Sequence, residues 1–454
     1  MKYNLAIIGG GPAGYTAAEK AAKAGMKVVL FEKDELGGVC LNEGCIPTKA
    51  LLSCAKHYSS ALDGATFGVR CEGVGADFAK MQERKVRTVR RLAGGVKARM
   101  RDAGVEVVRS EAVVRWPGTI EAGGSTYGFE RLLLCTGSSA VIPPIPGAFL
   151  PDGSLNPVVM TSREALALQE VPASVAIIGG GVIGMEFASL LSTLGAKVSV
   201  VEMLPEILGG FDAEVSAMLR GIYAGRGVDF HLGVRVLSID GGCVNFEGGS
   251  VAADRILIST GRRPNLEGIG IPGLKTGRGV EVDSHMRTSV SGVYAAGDIT
   301  GFSMLAHTAS REAEVAVNDM LGVPDEMNYD AVPGVVYTSP EVAFVGKRLE
   351  EAGDGAKVLS LPMAWSGRFV AENRDITGMC KLVLDKDGKV VGAHMLGTPC
   401  SEIISTVGVA ISAGMTADAL QKVIFPHPSV AEIIREVATL VAHSPKIENG
   451  FSNN

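Results

Sequence analysis

Two cysteines separated by four residues, a histidine set between prolines far along the chain, and two glycine-rich turns each followed by an acid are the residues best suited to chemistry. Cys40 and Cys45 stand in Gly37-Gly38-Val39-Cys40-Leu41-Asn42-Glu43-Gly44-Cys45-Ile46-Pro47-Thr48-Lys49. Gly44 gives the backbone freedom to bring the two Cα atoms to the roughly 5.5 Å a disulfide requires. Pro47 followed by Ala50, Leu51 and Leu52 predicts that the pair sits at the start of a helix, whose N-terminus favours a thiolate. The blander alternative is an inert disulfide or two unreactive thiols. Zinc is not expected, because no second His or Cys pair stands at ligand spacing nearby.

The histidine lies in Pro426-His427-Pro428-Ser429-Val430-Ala431-Glu432. Thiol–disulfide exchange needs a group that takes a proton from a dithiol and returns it to a leaving thiolate, a task that suits histidine near neutral pH. Glu432 is placed to orient or polarise the ring. Without the cysteines, His427 reads equally as a structural turn residue.

These groups need a scaffold. Leu5 to Ile8 read as a buried parallel strand, Gly9-Gly10-Gly11-Pro12-Ala13-Gly14 as the turn into a helix reaching about Lys23, and Lys27 to Phe31 as a second strand ending at Glu32. This is a full βαβ dinucleotide fingerprint: Gly9, Gly11 and Gly14 let the backbone approach a pyrophosphate, and Glu32 accepts from ribose hydroxyls. The pattern recurs with Val175 to Ile178, then Gly179, Gly181 and Gly184 in the turn, then Val198 to Val201 and Glu202. Both the first glycines and the acids stand 170 residues apart, so one chain is expected to hold two dinucleotides. A carboxylate at Glu202 favours a free 2′-hydroxyl and repels a 2′-phosphate, which selects NAD over NADP. The dithiol lies just beyond Glu32, and a flavin is the natural intermediary between hydride chemistry and a disulfide.

Further strands are expected at Leu132 to Leu134, before the turn Thr136-Gly137, at Arg255 to Ile258, before Thr260-Gly261, and at Val293 to Ala296, before Asp298. The last of these is expected to return to the first nucleotide domain. Cys380 to Leu384 and Val390 to His394 read as a hairpin turned at Asp387-Gly388, with helices after it at about 401–413, 417–423 and 429–442. The expected architecture is α/β, with two Rossmann-like dinucleotide-binding domains and a C-terminal α+β dimerisation domain. The expected boundaries are 1–142 for FAD binding, 143–262 for NAD binding, 263–328 completing the FAD region and 329–454 for dimerisation.

With 454 residues, 46% of them hydrophobic, the chain is long enough for two to four domains. The net charge of -6 does not point to a polyanionic partner. Between Lys80 and Arg101 lie nine basic residues and one acid, Glu83. That stretch reads as a docking surface, a nucleic-acid patch or, most simply, a solvated helix, and no nucleic-acid partner is expected because no recognition motif accompanies it. No run is apolar and long enough to span a membrane, and the opening residues leave no room for a signal peptide, so a cytoplasmic address is expected.

Taken together, Gly9 to Gly14, Gly38-Val39-Cys40 to Lys49, Gly179 to Glu186, Val293 to Asp298, Met304-Leu305-Ala306-His307 and His427 to Glu432 resemble the dihydrolipoyl dehydrogenase family across essentially the whole chain. The resemblance implies FAD on Gly9 to Gly14, Glu32, Lys49 and Asp298, and NAD on Gly179 to Gly184 and Glu202. Thr136, Gly137, Glu186, Gly261 and Ala306 complete the implied cofactor set, with Lys49 paired to Glu186. Cys45 is implied as the flavin-proximal thiol that forms the charge-transfer complex and Cys40 as the one that exchanges with substrate. A homodimer is implied, with His427 and Glu432 of one subunit completing the site around the cysteines of the other. The implied partner is the lipoyl-bearing protein of a 2-oxo acid dehydrogenase, acetoin dehydrogenase or glycine cleavage system.

The chain departs from the family pattern where Phe425-Pro426 replaces the usual His-Ala before the histidine, which removes an auxiliary imidazole, and where Val39 replaces a frequent threonine. Glutathione reductase is the nearest alternative, but its NADPH site calls for arginines where Glu202 stands. Mercuric reductase and thioredoxin reductases with a redox tail call for a C-terminal cysteine pair, and no cysteine follows Cys400. A flavin-holding structural subunit with little turnover is the alternative from outside catalysis.

Overall fold

The near-continuous apolar runs at the two fingerprints become central strands, paired in parallel on both sides, of two sheets. The computed structural model describes residues 2–443, which fall into two compact units. The first takes the chain up to residue 64 together with 70–205 and 228–328; the second takes 65–69, 206–227 and the stretch from 329 onward.

In the first unit, Lys2–Ile8 pairs in parallel with Val28–Phe31 on one side and Ser125–Leu134 on the other, in the register Ile7 to Leu30 and Ile7 to Leu133. Glu106–Val108 extends one edge in parallel, while Thr119–Ala122 and Ala112–Arg115 turn back antiparallel at the other. Val293–Ala295 pairs with Leu132 to Leu134, so the late strand does return to the first sheet. Helix α1 (Pro12–Lys23) follows the first strand, and α2 (Gly38–Glu43), α3 (Cys45–Leu62) and α4 (Phe78–Asp102) form the connection after the second.

The second sheet is wholly parallel, in the order Asp229–Leu232, Lys197–Glu202, Ser174–Ile178, Arg255–Ile258, Val159–Met160. The short helix α5 (Ser162–Leu166) links Val159–Met160 to Ser174–Ile178, and α6 (Val182–Thr193) follows the second glycine turn. The next helix, α7 (Ala213–Gly225), groups with the C-terminal stretch, although in sequence it lies between two strands of this sheet. Helix α8 (Ala306–Met320) lies against α1 in the first unit.

The second unit is built on an antiparallel sheet in the order Pro333–Val336, Val342–Gly346, Val390–Leu396, Met379–Leu384, Lys357–Pro362, and the expected hairpin is its centre. Helices α9 (Gly367–Glu372), α10 (Cys400–Ser412), α11 (Ala417–Leu420) and α12 (Glu432–Thr439) complete it. Lys381, almost fully buried, holds the start of α7 by pairing with Asp212 at 2.8 Å and Glu214 at 2.6 Å.

Three helical expectations need correction. The helix expected at 417–423 ends at Leu420, and the one expected from 429 begins at Glu432. Between them Pro426 and Pro428 remove amide donors and disfavour helical geometry in the residues before them, so 425–431 is a loop. The cysteines do not share a helix start: Cys40 lies in α2, and Cys45 is the first residue of α3. Gly44 separates the two helices, and a side chain there would come within 3.0 Å of the Val39 carbonyl oxygen.

Candidate functional site

Both glycine turns are built alike. Gly9 has φ +103° and Gly179 φ +104°, a region that favours glycine, and a Cβ on either would strike the carbonyl oxygen of Cys135 or Ser259. At Gly14 and Gly184 the obstacle is the carbonyl of Gly9 or Gly179, 1.8 and 2.0 Å from a built Cβ, so helix and strand approach closely only without a side chain. Above Gly11 the nearest atom is 3.8 Å away, and above Gly181 the space is open. No side chain caps the first turn of α1 or α6, which leaves their amides free for a pyrophosphate.

The two acids are wired identically. Glu32 accepts from the amides of Gly10 (2.7 Å) and Asp34 (2.8 Å), and Glu202 from those of Gly180 (2.6 Å) and Leu204 (2.8 Å). Each carboxylate is thus fixed at the end of its second strand with lone pairs left to accept from a ribose diol. These features fit two dinucleotides.

Cys40 and Cys45 are both free thiols joined by a side-chain hydrogen bond. That bond from Cys40 is the main reason the Cys45 thiol is lowered to about 7; burial opposes it and the Lys49 ammonium assists it. Cys40 moves strongly upward, first because it is the donor in that bond and then because it is buried. The bond and the Lys49 ammonium thus favour negative charge on Cys45 over Cys40. Lys49, one turn into α3, reaches both oxygens of Glu186 on α6 at 2.8 and 2.7 Å, and Glu186 is only 4% exposed.

Asp298 opens a short 3-10 turn after Val293–Ala295 and accepts from the Ser138 hydroxyl at 2.5 Å. Ser138 in turn accepts from Arg262 Nε at 2.7 Å, which ties Asp298 to the strand following Gly261. Thr136 donates its hydroxyl to the Asn265 carbonyl (2.8 Å), and the Gly137 carbonyl accepts from the Asn265 amide (2.9 Å). Ala306 is the first residue of α8.

In the second unit His427 Nδ1 lies 2.9 Å from Glu432 Oε1, while Glu432 Oε2 accepts from the Ser429 amide at 2.7 Å. The Ser429 bond first, then the imidazole, holds the Glu432 carboxyl below its usual range. The ring itself is exposed. Phe425, which stands where the family pattern has its auxiliary histidine, packs against the C-terminal core.

Sequence reasoning missed three groups around the dithiol. Asn42 Nδ2 donates to the carbonyls of Glu35, Leu36 and Gly38, and so staples the segment that enters the pair. Tyr15 on α1 has its phenol raised by burial and then by proximity to Cys40, and the Arg99 guanidinium lies 5.4 Å from its ring centroid. Arg163 on α5 pairs with Glu43, between the cysteines, at 2.7 Å. Asn42 was findable as a polar residue set between the cysteines; the partners of Tyr15 and Arg163 lie too far along the chain to leave a local signal.

Residues 3–313 match the pyridine nucleotide-disulphide oxidoreductase family, and residues 332–438 match its dimerisation domain. The chain is 39% identical to a dihydrolipoyl dehydrogenase of Geobacillus stearothermophilus, over 97% of this chain and 96% of that one. It is 37% identical to one of Bacillus subtilis, with the same coverage. Among solved structures it resembles LpdA of Mycobacterium tuberculosis (TM-score 0.87, 27% identity, 96% and 99% of the two chains). It also resembles the Cu(II) complex of the HOCl-induced flavoprotein disulfide reductase RclA of Escherichia coli (TM-score 0.85, 30% identity, 97% and 100%).

Proposed function

Because the chain belongs to the pyridine nucleotide-disulphide oxidoreductase family, we propose that it is a dihydrolipoyl dehydrogenase, oxidising protein-bound dihydrolipoamide to lipoamide while NAD is reduced to NADH. The observation that carries this reading is the dithiol itself: Cys40 and Cys45 bond side chain to side chain where α2 gives way to α3, one turn before Lys49 and its ion pair with Glu186. Gly9 to Gly14, Glu32, Lys49, Thr136, Gly137, Asp298 and Ala306 hold FAD; Gly179 to Gly184, Glu186, Glu202 and Gly261 hold NAD. Bound FAD supplies the two-electron relay between the dithiol and NAD.

The residues' own part is thiol–disulfide exchange. His427, oriented by Glu432, takes a proton from one substrate thiol, and the resulting thiolate attacks Cys40 Sγ of the Cys40–Cys45 disulfide. The S–S bond breaks, Cys45 leaves as a thiolate, and a mixed disulfide forms between Cys40 and substrate. The second substrate sulfur, its proton passing to solvent, attacks its neighbour and releases lipoamide, and His427 gives the Cys40 thiolate the proton it took from the first thiol. Cys45 is a good leaving group because its pKa is low. Loss of two electrons and the remaining proton restores the disulfide, and NADH and a proton are formed overall.

The partners are a second copy of the chain, through the C-terminal domain, and a lipoyl-bearing protein of a 2-oxo acid dehydrogenase, acetoin dehydrogenase or glycine cleavage system. Among the described residues no helix is long and apolar enough to cross a membrane. The test is an anaerobic assay of the purified holoprotein with dihydrolipoamide and NAD, with NADP alongside. NADH formation abolished by C40S and by C45S supports the assignment. A flavin-loaded protein without turnover would refute it and direct the search to glutathione with NADPH.

A further inference from the structure

The basic helix α4 is not simply a solvated face, because several of its polar side chains are spent inside the molecule. Lys85 Nζ donates to the Leu166 carbonyl at 2.6 Å, and Gln82 Nε2 to the Leu168 carbonyl at 2.9 Å, gripping the C-terminal end of α5. Lys97 pairs with Glu35 at 2.7 Å, and Glu35 lies where the chain enters the dithiol segment. From its first turn, α5 sends Arg163 back to Glu43, between the two cysteines. These four contacts close a polar triangle: dithiol segment to α5, α5 to α4, and α4 to dithiol segment.

We propose that this triangle is a positioning clamp, with Glu43, Arg163 and Lys85 its working residues, which fixes the second nucleotide sheet relative to the dithiol segment. Helix α5 is five residues long and joins two strands of that sheet, so wherever it is held the sheet follows. The inference rests on the second sheet as the NAD side. Transfer of a hydride tolerates displacements of only about half an ångström, so even a weak clamp is visible in that step. Exposed pairs such as Glu43–Arg163 are individually weak, and the expected effect is correspondingly modest.

Three readouts on the holoprotein test the clamp. Amide hydrogen exchange over residues 161–169 rises in R163A and in K85M and returns to the wild-type level in the charge swap E43R/R163E. Flavin reduction by NADH, followed anaerobically and so independent of any lipoyl substrate, slows about threefold in each single variant. The rate of dithiol reaction with an aromatic disulfide reagent stays unchanged. Because Arg163 and Lys85 grip opposite ends of one short helix, the double variant R163A/K85M slows less than the product of the singles. Unchanged exchange and NADH rates, or a charge swap that rescues neither, overturns the clamp. A wild type that oxidises NADH but not dihydrolipoamide overturns the lipoyl assignment and leaves the clamp standing.

Discussion

Lys49 on α3 and Glu186 on α6 form an ion pair that joins the helix of the dithiol to the helix of the second glycine turn, with both carboxylate oxygens engaged by one ammonium. The partners are unequally buried: the Glu186 side chain is 5% exposed and the Lys49 side chain 31%. Removing the lysine costs a nearly buried carboxylate its ammonium, whereas removing the carboxylate leaves an ammonium that solvent still reaches. Lys49→Met is therefore expected to cost about 3 kcal/mol and Glu186→Gln distinctly less, read by denaturant unfolding of the apoprotein. Equal costs would show that burial does not govern the pair.

The Cys45 thiol owes its lowered value first to the hydrogen bond from Cys40. In the reduced protein the thiolate absorbance should titrate with a midpoint near 7. In Cys40→Ala that midpoint should move up towards an ordinary thiol. Lys49→Met should raise it as well, and Glu186→Gln should lower it, because the carboxylate opposes the thiolate. A midpoint indifferent to Cys40 would mean that the helix terminus alone sets it.

Glu202 fixes the turn at Gly180 and Leu204, and on the proposed assignment its charge would face the ribose of NAD. Replacing it by alanine should raise KM for NAD about tenfold and narrow the preference over NADP, since the repulsion of a 2′-phosphate goes with it. Steady-state kinetics with both nucleotides decides. An unchanged NAD to NADP ratio would remove Glu202 from specificity.

His394 is almost fully buried, bonds the Lys347 carbonyl through Nε2 and, among the described residues, has no hydrogen-bond partner at Nδ1. Burial first holds its pKa below 6.5, with Asp212 opposing the shift and Lys381 and Arg348 adding to it. The unfolded chain takes up this proton near pH 6.5 while the folded chain declines it. Stability is thus full above about 6.5 and falls as pH drops below that value, by up to about 1.4 kcal/mol per pH unit. His394→Phe should flatten this part of the profile in urea unfolding between pH 7.5 and 5.5. A slope that survives the substitution belongs to other groups.

The exposed His427–Glu432 pair bears on assembly. If each site draws its thiols from one subunit and its histidine from the other, C45S and H427A chains are each inactive. Random re-pairing of the two should restore about a quarter of wild-type turnover. No recovery after verified subunit exchange would place both groups in the same chain.

The fingerprints were readable because a tight turn, a close helix approach and a ribose-binding acid each demand a residue type at a fixed offset, and Gly9, Gly14 and Glu32 meet those demands locally. The hairpin at Asp387-Gly388 was readable for a similar reason. The antiparallel strands Ala112–Arg115 and Thr119–Ala122 escaped notice because each is only four residues long and partly exposed. The break between α2 and α3 was hidden because Pro47 and the apolar residues after it speak only for the second helix. Contacts such as Arg163 to Glu43 depend on how distant elements dock, which no local pattern records.

The identical wiring of Glu32 and Glu202 makes the two sites one lock cut twice, since on the proposed assignment each would take the same adenosine diphosphate handle. Free ADP should therefore compete at both, with the apoprotein taking up two equivalents. On the proposed assignment, what would tell the sites apart is the far half of each dinucleotide, met by Lys49 and the thiols in one and by Glu186 in the other. A competitor built on the handle alone would block loading and turnover together, whereas selectivity has to be sought where the two ion-paired helices meet.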